Sequence, residues 1–246
     1  MMLQNALIFF PTRYPAGDWQ PWGLTFEDAW FSAADGTSLH GWYVPCANPR
    51  ARILIAHGNA GNLSDRADML RTLHTLGAAT MIFDYRGYGR STSRPNLPGI
   101  LADGHAARAW LAEHEGVPQR DLVLLGESLG GAVMVELAAR EGARGLVLEN
   151  AFTSLADVAA YHLRWLPVKW LLRGQLDSLA MIGQYHGPLL QRHGDADQIV
   201  PFALAEKLFA AANQPKRLVV EPGGDHNDPP SRQYLRALDE FLGALP

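Results

Sequence analysis

Gly126-Glu127-Ser128-Leu129-Gly130 decides how this chain is read. The apolar run Leu122-Val123-Leu124-Leu125 precedes it, and Gly131-Ala132-Val133-Met134-Val135-Glu136-Leu137-Ala138-Ala139 follows with helical character. A serine in G-x-S-x-G, between a buried strand and a helix, has the nucleophile-elbow pattern. A sharp strand-to-helix turn crowds its own backbone, and glycines on both flanks leave room for it. The turn lifts the hydroxyl to the strand end, beside a helix N-terminus whose free N–H groups stabilise negative charge. Ser128 is therefore the candidate nucleophile. The plainer alternative is an ordinary tight turn in which Ser128 only caps the helix.

Around this stretch the chain keeps a regular rhythm. Two early runs, 24–31 and 39–44, alternate like half-buried strands, and Asp35-Gly36 between them predicts an antiparallel hairpin. Short apolar runs then recur at 53–56, 79–83, 122–125, 146–148, 189–190 and 218–220. Helical patterns at 64–76, 103–114, 129–140, 202–212 and 231–242 separate most of them. Continuous apolar strands alternating with helices predict a mostly parallel sheet covered on both faces. No repeat, linker or low-complexity segment interrupts the chain, so 1–246 is expected to be one domain.

The rhythm breaks between Glu149 and Pro188, where Tyr161, Trp165, Trp170 and Leu171-Leu172 cluster around Pro167. Residues 152–185 are expected to form a small helical, lid-like insertion over the strand ends. Trp165 and Trp170 either cover a ligand pocket or, as the favoured reading, pack the insertion onto the core. His162, Arg164, Lys169 and Arg173 interleave with these apolar residues. Such a pattern suits an anionic lipid surface. Pro167 interrupts any long amphipathic helix, however, and the chain is acidic, so a solvated charged face is expected over peripheral membrane contact.

A chain of 246 residues has room for a sizeable core. Its 48% hydrophobic and 19% charged residues describe a soluble globular protein. A net charge of −4 gives no electrostatic footprint for nucleic acid. The single cysteine, Cys46, excludes an internal disulfide and a cysteine-rich metal site, which suits a reducing compartment such as the cytoplasm. No stretch reaches the ~18 apolar residues of a membrane-spanning helix. The N-terminal Met1 to Pro11 lacks the basic n-region and cleavage site of a signal peptide.

A serine hydroxyl needs a neighbouring base, usually a histidine held by a carboxylate. After an elbow serine the expected chain order is acid, then histidine. His226 follows the apolar run Leu218-Val219-Val220 and the turn Pro222-Gly223-Gly224, which places it on a loop at a strand end. It is the candidate base, ahead of His186 and His193. The acid should follow the preceding strand, where Asp195-Ala196-Asp197 offers two carboxylates. Asp197 is favoured, and Asp195 suits a turn-organising role. His57-Gly58-Asn59-Ala60-Gly61-Asn62 lets backbone N–H groups approach a substrate oxygen; Asn59 N–H and Leu129 N–H are the expected oxyanion donors. His57 is expected to prop up this loop, and Asp84-Tyr85-Arg86-Gly87-Tyr88-Gly89-Arg90-Ser91 to be a structural turn. No metal-ligand spacing or nucleotide loop is present, and no cofactor is called for.

Taken in order, these motifs resemble the α/β-hydrolase superfamily, and more closely its Bem46-like and ABHD-type serine hydrolases. The resemblance runs over nearly the whole chain. It includes Pro11-Thr12-Arg13-Tyr14-Pro15, Leu39-His40-Gly41-Trp42-Tyr43, the His57 and Asp84 loops, the Ser128 elbow, Asn150-Ala151-Phe152-Thr153-Ser154, His193-Gly194-Asp195-Ala196-Asp197 and Gly224-Asp225-His226-Asn227-Asp228. It implies an α/β-hydrolase fold and a triad of Ser128, Asp197 and His226 acting on a small-molecule acyl ester or thioester. An acyltransferase or serine peptidase would use the same triad. A non-catalytic interaction protein on this fold would be expected to have lost one of the three residues. Fold alone does not choose a substrate.

Overall fold

Alternation early in the chain becomes an antiparallel pair. The computed structural model describes residues 8–163, 172 and 174–246, and the chain packs as two units, 1–123 and 124–246. In the first unit, β2 (Glu27–Ser32) runs antiparallel to β3 (Ser38–Val44), with Trp30 opposite His40. Asp35 holds the intervening loop by accepting the Thr37 N–H at 3.1 Å. β3 continues antiparallel to β6 (Ala78–Asp84), which lies parallel to β4 (Ala51–Ala56). β4 and β6 are the continuous apolar runs of the sequence, and nearly every residue in them is buried, as strands covered on both faces require.

α1 (Ala67–Thr75) packs on β6, and α2 (Leu97–Glu115) packs on β2 and β4. The hydrophobic pattern placed the start of α2 at 103; it begins at Leu97. Asn96 caps it by accepting the Gly99 N–H at 2.9 Å, and Pro98 sits in the first turn, where its missing N–H costs nothing. A short parallel pair not foreseen in the sequence, β1 (Phe10–Pro11) with β5 (Ala60–Gly61), lays the N-terminal segment along the His57–Asn62 loop.

The Asp84–Ser91 turn anchors this unit through Arg86. Its guanidinium meets Asp103 at 2.8 Å and Asp35 at 2.7 Å, and the Asp103 side chain is fully buried. Removing one partner of a buried pair strands the other charge. Arg86→Met is therefore expected to cost about 3–5 kcal/mol in urea denaturation. A loss under about 1 kcal/mol, the range of an exposed pair, would show that water reaches Asp103.

In the second unit the strand order is β10 (Lys216–Glu221), β9 (Leu189–Gly194), β8 (Gly145–Glu149), β7 (Val123–Glu127). β8, β9 and β10 are mutually parallel, with Leu189 in register with Leu146 on one side and Lys216 on the other. α3 (Leu129–Glu141) follows β7 directly. α4 (Leu155–His162) and the short α5 (Ser178–Ile182) lie within the 152–185 insertion. α5 packs on α3 and on α6 (Phe202–Ala211), while α7 (Arg232–Ala244) covers β9 and β10. Trp165, Trp170, Arg164, Lys169 and Arg173 lie outside the described residues. His162 is described, and its Nε2 meets the Ile199 carbonyl at 2.8 Å. Among the described residues no helix is long and apolar enough to cross a membrane.

Candidate active site

β7 ends at Glu127 and α3 begins at Leu129, so Ser128 makes the whole turn. Its backbone sits at φ 51°, ψ −110°, a conformation that costs a non-glycine residue about 1–3 kcal/mol. Ordinary serine caps in this chain look different. Ser154 and Ser231 have φ −159° and −70° with ψ near 160°, and each accepts an N–H from its helix. Ser128 makes no side-chain cap bond. The turn is held by Ser128 N–H donating to Glu149 O at 2.8 Å, and by Gly131 N–H donating to Ser128 O at 3.0 Å. Gly126 is required here, because a Cβ on it would lie 2.5 Å from the Gly130 carbonyl oxygen. Leu129, as the first helical residue, has an N–H with no intrahelical acceptor.

The loop after β9 carries Asp197, and the loop after β10 carries His226. Asp197 Oδ2 lies 2.7 Å from His226 Nδ1 and 3.2 Å from His193 Nε2. Oδ1 accepts the N–H groups of Ile199 at 2.8 Å and Val200 at 2.7 Å. Burial alone would raise the carboxyl pKa. The bonds from His193, His226 and Val200 outweigh it and hold the group well below the usual carboxylate range. With the folded pKa depressed, this contact contributes stability above the unfolded value of about 3.9 and loses it only as pH falls further. The stability gap between wild type and Asp197→Asn is thus expected not to shrink from pH 8 to 5, and to close only below about pH 4. Thermal melts of both proteins across that range check this; a gap closing near pH 6 would contradict it.

The two loops are locked together by backbone. A Cβ on Gly194 would lie 2.2 Å from the Gly224 carbonyl oxygen, so only glycine allows this approach. Asp195 Oδ1 accepts the Gly223 N–H at 2.6 Å, so its side chain organises the turn. Asp225 Oδ1 accepts from Gln198 N–H and His226 N–H, both at 2.8 Å, which lowers its pKa. The acidic residues flanking His226 therefore build its loop.

In the first unit, the loop carrying Asn59 is tied by aromatic hydroxyls. Tyr85 donates to His57 O at 2.8 Å and Tyr88 to Asn59 O at 2.7 Å. The Asn59 side-chain amide donates to Ile8 O. His57 is fully buried, with Nδ1 2.7 Å from Gly58 O, and is a prop of this loop.

The family model described as "Serine aminopeptidase, S33" matches residues 47–181. The chain belongs to this family of α/β-hydrolases. The match takes in Ser128 and ends before Asp197 and His226. The chain is 42% identical over 244 residues to Rv2307c of Mycobacterium tuberculosis, covering 97% of this chain and 87% of that protein. It is 27% identical over 261 residues to Bem46 of Schizosaccharomyces pombe, covering 97% and 85%. A Pyrococcus furiosus esterase shares the fold, with a TM-score of 0.80 at 16% identity over 97% of this chain and 98% of that one.

The residue pattern names Asn150 in a motif and His193 as an alternative base, but it does not predict the contacts that Asn150, Arg192 and His193 make around the site. Asn150, at φ 50°, donates its side-chain N–H to His226 O at 2.5 Å and its backbone N–H to Arg192 O at 3.0 Å. Arg192, almost wholly buried, donates to Asp228 O at 2.8 Å and pairs with Glu221 at 3.2 Å. His193 reaches Asp197 as described above. Asn150 and His193 both follow or end short apolar runs, where side chains gather at strand ends, and that position was the signal available for them.

Proposed function

We propose that this protein is a cofactor-free serine hydrolase that cleaves small-molecule acyl esters or thioesters through Ser128, Asp197 and His226. The observation that carries the reading is the 2.7 Å contact from His226 Nδ1 to an Asp197 carboxylate whose oxygens are already filled with donors. With Nδ1 committed to Asp197, Nε2 is the nitrogen that takes the Ser128 proton as Oγ attacks the carbonyl carbon. The imidazolium then protonates the leaving alkoxide or thiolate. The Leu129 N–H at the head of α3 stabilises the oxyanion, and the Asn59 N–H is the second donor that the sequence motif leads one to expect. Water, deprotonated by His226, cleaves the acyl-enzyme and restores Ser128.

A second reading is favoured by the family's own description as a serine aminopeptidase. The same triad would then attack an amide and protonate a leaving amine. A panel of p-nitrophenyl esters, acyl-thioesters and aminoacyl-p-nitroanilides, run on unlabelled protein, separates the two, with fluorophosphonate labelling of Ser128 tested on a separate sample. Turnover of esters or thioesters with inert anilides supports the first reading. Efficient anilide cleavage with poor ester turnover supports the second. Absence of labelling rejects both.

A further inference from the structure

Asp197 is shared by two imidazoles, and only His226 has a part in the reaction as proposed. We propose that His193 is a positioning residue, which holds the Asp197 carboxylate at the angle that His226 requires. The proposal rests on the serine-hydrolase reading of Asp197 and His226. His193 Nε2 lies 2.9 Å from the Val200 carbonyl oxygen and 3.2 Å from Asp197 Oδ2. A carbonyl oxygen only accepts, so Nε2 carries the proton. That proton goes to Val200 O, and the same nitrogen lies within ion-pair reach of Asp197 Oδ2.

The side chains of His193 and Asp197 are both fully buried, and His193 Nδ1 has no hydrogen-bond partner among the described residues. An imidazole with one orphaned nitrogen is a poor packing residue, because a buried polar atom left unpaired is costly. What offsets the cost is the charge-assisted bond to the carboxylate. Oδ1 is already fixed by the Ile199 and Val200 N–H groups, which set the position of the carboxylate. Oδ2 alone faces His226, and the His193 bond stops it turning away. The ring of Phe202, 6.0 Å from His193 centroid to centroid, helps keep the imidazole in place.

The test compares His193→Leu, which removes the donor, with His193→Gln, whose side-chain amide reaches the same region as Nε2. Turnover of a p-nitrophenyl ester is measured in the wild-type and Asp197→Asn backgrounds. His193→Leu is expected to lower kcat roughly tenfold to a hundredfold, the range for a hydrogen bond to a charged group, with KM changed less than about twofold. His193→Gln is expected to recover most of that loss. In the Asp197→Asn background the same His193→Leu change should cost little, because the two residues act as one unit. Should His193→Leu not fold, His193→Gln is compared with the shorter His193→Asn, and the proposal requires Gln to turn over faster. Unchanged kcat in His193→Leu, an equal loss in both backgrounds, or equal turnover of Gln and Asn variants overturns it. Full turnover in Asp197→Asn would instead bring down the triad reading, and this proposal with it.

Discussion

Ser128→Ala is expected to abolish fluorophosphonate labelling and to lower ester or thioester turnover by roughly a millionfold, the cost of losing the nucleophile in a serine-protease reference. The fold should survive. Ser128 contributes no side-chain cap to α3, and the backbone bonds to Glu149 and from Gly131 that hold the turn do not involve the hydroxyl. Alanine pays the same backbone strain as serine at φ 51°. Labelling measured by intact-protein mass, with circular dichroism on the same sample, checks both halves. A label retained by the folded variant and mapped to another residue would remove Ser128 from the mechanism.

Asp197→Asn is expected to have the second largest effect, a fall in kcat of about a thousandfold or more. The asparagine amide occupies nearly the same space, but it can present an N–H to His226 Nδ1 where the carboxylate presented only acceptors. The imidazole then takes the wrong tautomer and loses its counter-charge during the reaction. Asp195→Asn makes the useful comparison, because Oδ1 can still accept the Gly223 N–H. Its expected loss is far smaller. A reversed ranking, with both variants folded, would move the acid to Asp195.

Much of this architecture is legible in the residue pattern, for a physical reason. β4, β6, β7 and β8 are short apolar runs because both their faces are covered, and α1 and α7 carry an apolar stripe because one face of each packs on the sheet. The Ser128 elbow is legible because a crowded turn restricts its flanking residues to glycine. Other features depend on chain segments that meet only after folding. Asn150 and His226 are 76 residues apart, and nothing local to either announces the bond between them. The buried set of Arg192, Glu221, Glu149 and Tyr234 draws on three strand ends and a helix, so each charge looks like a surface residue until its partners are placed. α2 starts earlier than the helical pattern at 103–114, because Asn96 caps it and a proline is tolerated in its first turn. α5 is five residues long, too short for a periodic signal.

With Ser128 as the proposed nucleophile, its backbone angle sets durability and activity against each other at one position. Glycine relaxes φ 51° and ψ −110° without penalty, whereas serine does not. A selection for heat resistance alone would push this position towards glycine and silence the protein, while a selection for turnover would keep the strained residue. Any programme that evolves this chain for stability must therefore hold residue 128 fixed and seek its gains elsewhere.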